Sequence, residues 1–86
     1  MYGLTNQMRR AAISVPCNIA EGAARSTKKE MLQFLAIARG SLSELETQVI
    51  IAKELGYIEA SNELNSSLES VFALLGGLVN SIRRRE

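Results

Sequence analysis

Apolar residues recur every three or four positions along this chain, which is the repeat that places side chains on one face of an α-helix. The first helical segment has its apolar face at Leu4, Met8, Ala11, Val15 and Ile19. Pro16 lies inside this segment, where it removes one backbone hydrogen bond. We therefore expect a first helix with a bend near Pro16 and an end near Gly22, a residue suited to a helix C-terminus.

Two further helices are predicted after a short linker at residues 22–26. Thr27-Lys28-Lys29-Glu30 matches a capping box, which starts a helix, and Leu55-Gly56 ends that helix after about 40 Å. A third helix follows Tyr57. Both carry apolar residues alternately three and four apart, at Leu35, Ala38, Leu42, Leu45, Val49 and Ala52 in the second and at Leu64, Leu68, Val71, Leu75, Leu78 and Ile82 in the third.

Matching seams joined by a short turn predict an antiparallel pair of helices. The pattern therefore predicts an all-α fold, an antiparallel bundle of three long helices forming one domain over residues 1–86. Helices two and three also carry apolar residues outside their seams, namely Ile37, Ile50, Ile51, Phe72 and Val79. Either the first helix or another subunit must cover these residues. Gly76-Gly77 interrupts the third helix at about 1 kcal/mol each relative to Ala, which close helix approach or a kink would explain.

Composition removes several kinds of chemistry. The chain has 86 residues, 47% of them apolar and 22% charged, with no His, no Asp and one Cys. Zinc sites, Ser/His/Asp triads and intrachain disulfides are therefore excluded, and we expect no catalytic residue, metal, cofactor or enzymatic activity. Cys17 is expected to be a buried packing thiol. Without a long apolar run or a signal peptide, the chain is expected in the cytoplasm and not at a membrane.

Positive charge is concentrated in parts of the chain although the net charge is only +1. Lys28 and Lys29 occupy the first turn of the second helix, where the helix dipole disfavours cations, so a bound phosphate would explain them. The alternative is a solvated helix start. The candidate nucleic-acid-binding residues form a predicted basic rim: Arg9, Arg10, Arg25, Lys28, Lys29, Arg83, Arg84 and Arg85. The last three could equally be a tail whose cations complement the negative end of the third helix.

Four strings of the sequence resemble a known family: Gly3-Leu4-Thr5-Asn6-Gln7-Met8-Arg9-Arg10-Ala11-Ala12, Ser14-Val15-Pro16-Cys17-Asn18-Ile19-Ala20-Glu21-Gly22, Gly40-Ser41-Leu42-Ser43-Glu44-Leu45-Glu46-Thr47 and Leu55-Gly56-Tyr57-Ile58. They resemble the bacterial four-helix-bundle proteins of ribosomal-RNA intervening sequences, which are similar to the accessory variability proteins of diversity-generating retroelements. The resemblance implies a four-helix bundle that here lacks its first helix, and a homopentameric ring. From the retroelement relatives it implies a basic surface for nucleic acid and a reverse transcriptase as partner.

The polar and small residues of these strings are expected to serve the architecture before any ligand, because buried polar groups usually satisfy one another. Asn18 and Glu21 are expected to tie the first helix to Ser41 or Ser43 of the second. The structural set comprises Ser14, Pro16, Asn18, Glu21, Gly22, Gly40, Ser41, Glu44 and Glu46.

Two functional hypotheses follow from the sequence. The first is a non-enzymatic homo-oligomer that binds the backbone of RNA or DNA through its basic rim. The alternative is a protein-interaction scaffold, for example accessory to a reverse transcriptase, without physiological nucleic-acid binding.

Overall fold

The computed structural model describes the backbone of residues 2–58 and 62–85 and the side chains of residues 3–58 and 64–85. These ranges contain three helices and no strand: α1 Tyr2–Ala23, α2 Lys28–Glu54 and α3 Asn62–Arg84. The predicted all-α fold is confirmed. α1 continues without interruption through Pro16 and ends one residue after Gly22.

The capping box starts α2 as its sequence predicts. The Thr27 hydroxyl accepts a hydrogen bond from the Glu30 amide at 3.2 Å and donates one to the Glu30 carboxylate at 2.8 Å. At the other end, Gly56 adopts a positive φ of 76°, a left-handed conformation that ends the helix at low cost for glycine.

Both neighbours of α2 run antiparallel to it. The Ser14 and Ser41 hydroxyls join the middles of α1 and α2 at 2.8 Å, and a Cβ on Gly22 would lie 3.2 Å from the Met31 carbonyl oxygen. α3 packs along a different side of α2. Within the described ranges, no Cα of α1 lies within 8 Å of a Cα of α3.

The predicted seams form the core between α2 and its neighbours. Leu75 is 1% exposed, and α2 contributes its whole seam apart from the half-buried Leu45. The buried core cluster consists of Val15, Leu35, Ala38, Leu42, Leu68, Leu75 and Ile82. Of the residues off the seams, Phe72 and Val79 pack against this core, whereas Ile37, Ile50 and Ile51 stay about half exposed.

The three helices form the predicted antiparallel bundle as a shallow layer that is open on one side. The Cα atoms extend over 48 × 24 × 13 Å, with a radius of gyration of 14.4 Å. A compact domain of this length has a radius of gyration of about 12 Å. The first helix therefore does not cover the whole apolar arc of α2 and α3.

Substitutions at two glycines, one inside α3 and one in the left-handed conformation after α2, test the helix boundaries. Gly76 lies inside α3 with nothing within 4 Å of a Cβ, so close helix approach within the described chain does not explain it. We predict that Gly76→Ala raises the free energy of unfolding by about 0.8 kcal/mol, and that Gly56→Ala lowers it by about 1 kcal/mol because alanine resists the left-handed conformation. Urea denaturation followed by circular dichroism measures both; equal shifts in one direction would contradict the assignment.

A second prediction concerns the end of the molecule where α3 meets α2. The Lys28 ammonium donates to the carbonyl oxygens of Arg83 at 2.9 Å and Arg85 at 2.6 Å, thereby capping α3. Lys28→Met is expected to lower the free energy of unfolding by about 1 kcal/mol, since these two carbonyls lose a charged donor. Lys29→Met, one residue away, is the control and should change it by less than about 0.5 kcal/mol. Equal losses in urea denaturation would argue against the cap.

Candidate functional site

The main cluster of cations lies at one end of the helical layer. Because the helices are antiparallel, the C-terminus of α1, the N-terminus of α2 and the C-terminus of α3 share this end. Lys28 joins α2 to the last turn of α3, which brings the terminal arginines beside Lys28 and Lys29. We call this cluster the basic end, and it comprises Arg25, Lys28, Lys29, Arg83, Arg84 and Arg85.

The contacts of Lys28 supply a structural reason for its position in the sequence. A cation in the first turn of α2 opposes that helix's own dipole, but the same cation lies at the negative C-terminus of α3. The interaction with α3 therefore accounts for Lys28 without a bound anion. Lys29 has no such contact among the described residues and remains exposed.

Arg25 is held by neighbours within the chain. Its guanidinium bonds the Glu21 carboxylate at 2.8 Å and lies over the Phe34 ring, with Cζ 4.7 Å from the ring centroid. The ion pair with Glu21 is partly exposed and contributes less than about 1 kcal/mol, whereas the stacking on Phe34 orders the linker against α2. Arg25 therefore positions the linker between α1 and α2, with its charge still at the basic end.

Arg9 and Arg10 do not belong to the basic end. They lie more than three helical turns before the end of α1, about 20 Å along its axis. Arg10 instead lines an open polar depression between α1 and α2 with Gln7, Ser14, Ser41 and Glu44. The continuous rim expected from the sequence is thus divided into two groups, because a helix separates residues by 1.5 Å for every position.

A polar seam follows the edge of this depression. The Asn18 amide donates to the Ser14 carbonyl at 2.8 Å and to the Ser14 hydroxyl at 3.0 Å, and that hydroxyl reaches Ser41. Ser14, rather than Asn18 or Glu21, therefore makes the contact with α2. Further along α2, the Gln48 amide donates to Glu44 at 3.3 Å, although Gln48 is only 6% exposed and its Oε1 lacks a partner.

Sequence reasoning missed Gln48, although its spacing gives a signal. Ser41, Glu44 and Gln48 are three and four residues apart, so they form a polar stripe on α2 beside the buried seam. At Gln48 the polar stripe runs directly beside the buried apolar seam of α2. A glutamine at this position is therefore buried together with the seam.

The remaining expectations for individual residues have mixed outcomes. Glu44 and Glu46 belong to the predicted structural set, but among the side chains described the ion pair within 4 Å is Arg25–Glu21, so neither of the two is ion-paired. Nothing lies within 4 Å of a Cβ on Gly40, which is exposed. The expectation for Cys17 was wrong: its side chain is exposed, because it is two positions from the buried Val15 and so faces away from α2.

The arrangement is suited to electrostatic binding. The described part of the chain holds no group of three or more Cys or Glu placed to ligate a metal ion. No described helix is both long and apolar enough to cross a bilayer. In the half of the molecule that contains the basic end, the described residues include seven cations, the seventh being Arg39, against Glu21 and Glu30.

Comparison with known proteins agrees with the sequence motifs. The family model described as 23S rRNA-intervening sequence protein matches residues 1–77. No curated protein matches the chain. Since the family model covers most of the 86 residues and the structure is a helical assembly, this chain belongs to the 23S rRNA-intervening sequence protein family.

Proposed function

We propose that this protein is a non-enzymatic, self-associating helical protein whose basic end binds the phosphate backbone of nucleic acid, RNA in the first instance. The observation that carries the proposal is the convergence of six cations at one end from two separate stretches of the chain, residues 25–29 and 83–85. Lys28 forms two hydrogen bonds that hold the last turn of α3 against the start of α2. The family's name, which refers to ribosomal RNA, favours RNA over DNA as the first ligand to test.

The cations available for phosphate are those whose terminal nitrogens make no hydrogen bond or ion pair among the described residues. Lys29, Arg83 and Arg85 are exposed, and Arg84 donates only its Nε to the Asn80 carbonyl at 3.2 Å, which leaves its terminal nitrogens free. Guanidinium groups bind phosphate oxygens through paired N–H donors. The basic end therefore offers three arginines and one lysine to a nucleic-acid backbone.

The chemistry of the basic end predicts binding with little preference for nucleotide sequence. Neither tyrosine belongs to the basic end, and Phe34 already stacks on Arg25, so stacking of single-stranded bases is not supported. Backbone contacts position a nucleic acid but carry no sequence information. Binding should then be governed by salt, through release of counterions from the phosphates.

A protein-interaction scaffold is the second candidate. It is favoured by the number of large apolar side chains that remain 43–58% exposed, namely Ile13, Ile37, Ile50, Ile51, Leu55, Tyr57 and Leu74. A reverse transcriptase as the partner stays a prediction from resemblance. Binding of a purified partner that survives nuclease treatment and is lost in Ile51→Glu would favour this candidate over RNA binding.

The binding proposal is tested by fluorescence anisotropy of labelled RNA. We predict that Lys29→Glu combined with Arg84→Glu raises the Kd at least about tenfold at low salt and reduces the salt slope by about one for each lost phosphate contact. Arg9→Glu combined with Arg10→Glu has the same change in net charge and is the matched control, with less than about a threefold effect because these residues lie away from the basic end.

Two results would contradict the proposal. One is anisotropy of the RNA that does not change with folded wild-type protein at low salt. The other is an equal loss of affinity in both double variants, which would show that net charge alone decides binding.

A further inference from the structure

A depression between α2 and α3 brings one arginine of the basic end beside an arginine that the basic end does not include. It has a volume of about 330 Å³, and none of its lining residues belongs to α1. Its polar lining residues are Arg39 and Ser43 of α2 and Arg83 of α3, and its apolar wall includes Leu32 and Val79. No carboxylate of the described residues lines it. We call this feature the α2–α3 depression, and its lining is positively charged.

The two arginines approach the α2–α3 depression from opposite directions. Side chains on a helix lean towards the N-terminus of that helix. Because α2 and α3 are antiparallel, Arg39 leans towards the basic end, whereas Arg83 leans away from it. Both arginines are exposed, and both line the same depression. The antiparallel packing therefore directs two guanidinium groups to one place, although 44 positions separate them in the sequence.

The polar groups of the α2–α3 depression have no partner among the described residues. The guanidinium groups of Arg39 and Arg83 form neither a hydrogen bond nor an ion pair there, since Arg83 contributes only its backbone carbonyl, to Lys28. The Ser43 hydroxyl is likewise unpaired, and only its backbone carbonyl accepts a hydrogen bond, from Thr47. Two like charges in one depression repel each other, and an anion between them removes this repulsion. Guanidinium donors and a hydroxyl suit the oxygens of a phosphate group.

Gly40 is a second observation that points to a ligand. Glycine destabilises the interior of a helix relative to alanine. Gly40 lines the α2–α3 depression, and nothing lies within 4 Å of the position that a Cβ would occupy. Packing against another helix of the described chain therefore does not account for this glycine. Glycine also occurs where a ligand approaches a backbone closely, and the open space over Gly40 provides room for that approach.

We propose that the α2–α3 depression binds one phosphodiester group of the nucleic acid whose neighbouring phosphates lie at the basic end. Arg39 and Arg83 hold its oxygens through their N–H donors, and the Ser43 hydroxyl donates a further hydrogen bond. The volume of 330 Å³ leaves room for the attached sugar against the apolar wall. The inference rests on the proposed function and specifies the path of the bound backbone, which continues from the basic end between α2 and α3.

The charge of Arg39 is tested by fluorescence anisotropy with a single-stranded RNA that carries its label at the 3′ end and a hydroxyl at the 5′ end, so that every phosphate is internal. Arg39→Gln is expected to raise the Kd at least about fivefold at low salt and to reduce the salt slope by about one, because one phosphate contact is lost. Arg10→Gln removes the same charge from α1, outside the α2–α3 depression, and should raise the Kd less than about twofold.

The space in the α2–α3 depression is tested without any change of charge. Gly40→Leu fills part of the depression but favours the helix over glycine, so its effect on binding does not arise from a less stable fold. We expect it to raise the Kd at least about threefold by displacing the phosphate. Gly77→Leu is the matched control, because a Cβ there also meets nothing within 4 Å and the residue does not line the depression. This control should change the Kd less than about twofold, and circular dichroism checks that all variants fold.

The outcomes separate this inference from the proposed function. Unchanged affinity and salt slope in both Arg39→Gln and Gly40→Leu, with binding lost in Lys29→Glu combined with Arg84→Glu, would overturn the inference and leave the proposed function intact. Equal losses in Arg39→Gln and Arg10→Gln would also overturn the inference, since total charge would then decide binding. Affinity that none of these variants lowers would overturn both.

Discussion

The constraint on which the structure depends is that α2 buries its seam between two helices whose described backbones stay more than 8 Å apart, Cα to Cα. Val15 of α1, Leu35 and Leu42 of α2 and Leu75 of α3 belong to one buried cluster, so α2 joins both neighbours to the same core. Such a layer buries the seam of α2 but leaves uncovered the sides of α1 and α3 that face each other. Helical domains ordinarily solve this by adding a second layer. The described residues form one layer only, which accounts for their large radius of gyration.

The same antiparallel order separates charge along the molecule. It gathers the basic residues of the linker and of the C-terminus at one end, although more than fifty positions lie between them in the sequence. The carbonyls of Arg83 and Arg85 at the end of α3 are then capped by Lys28. One arrangement of helices therefore supplies both an end suited to phosphate and the cap of α3.

Sequence periodicity and capping residues were sufficient to predict the three helices, their seams and the two ends of α2, but not the start of α3, which begins at Asn62. Thr27, Glu30 and Gly56 act locally, so their chemistry can be identified without knowing the fold, and the alternation from Leu64 to Ile82 states which face of α3 is buried. The interactions between helices could not be predicted in this way. Lys28 contacting Arg83 and Arg85, or Arg25 stacking on Phe34, depends on the register between helices. Helix geometry alone argues against two of the predictions, the continuous basic rim and the buried Cys17. The rise per residue separates Arg10 from Arg25 along the helix axis, and the helical repeat turns Cys17 away from the side of Val15.

The central claim is that the basic end, and not the charge of the whole molecule, binds a phosphate backbone, and amide hydrogen exchange with and without RNA measures this directly. The account predicts slower exchange at residues 25–31 and 80–85 when RNA is bound, while residues 7–14, which include Arg9 and Arg10, change little. Equal protection of both regions, or no protection of residues 25–31 and 80–85 by bound RNA, would contradict it.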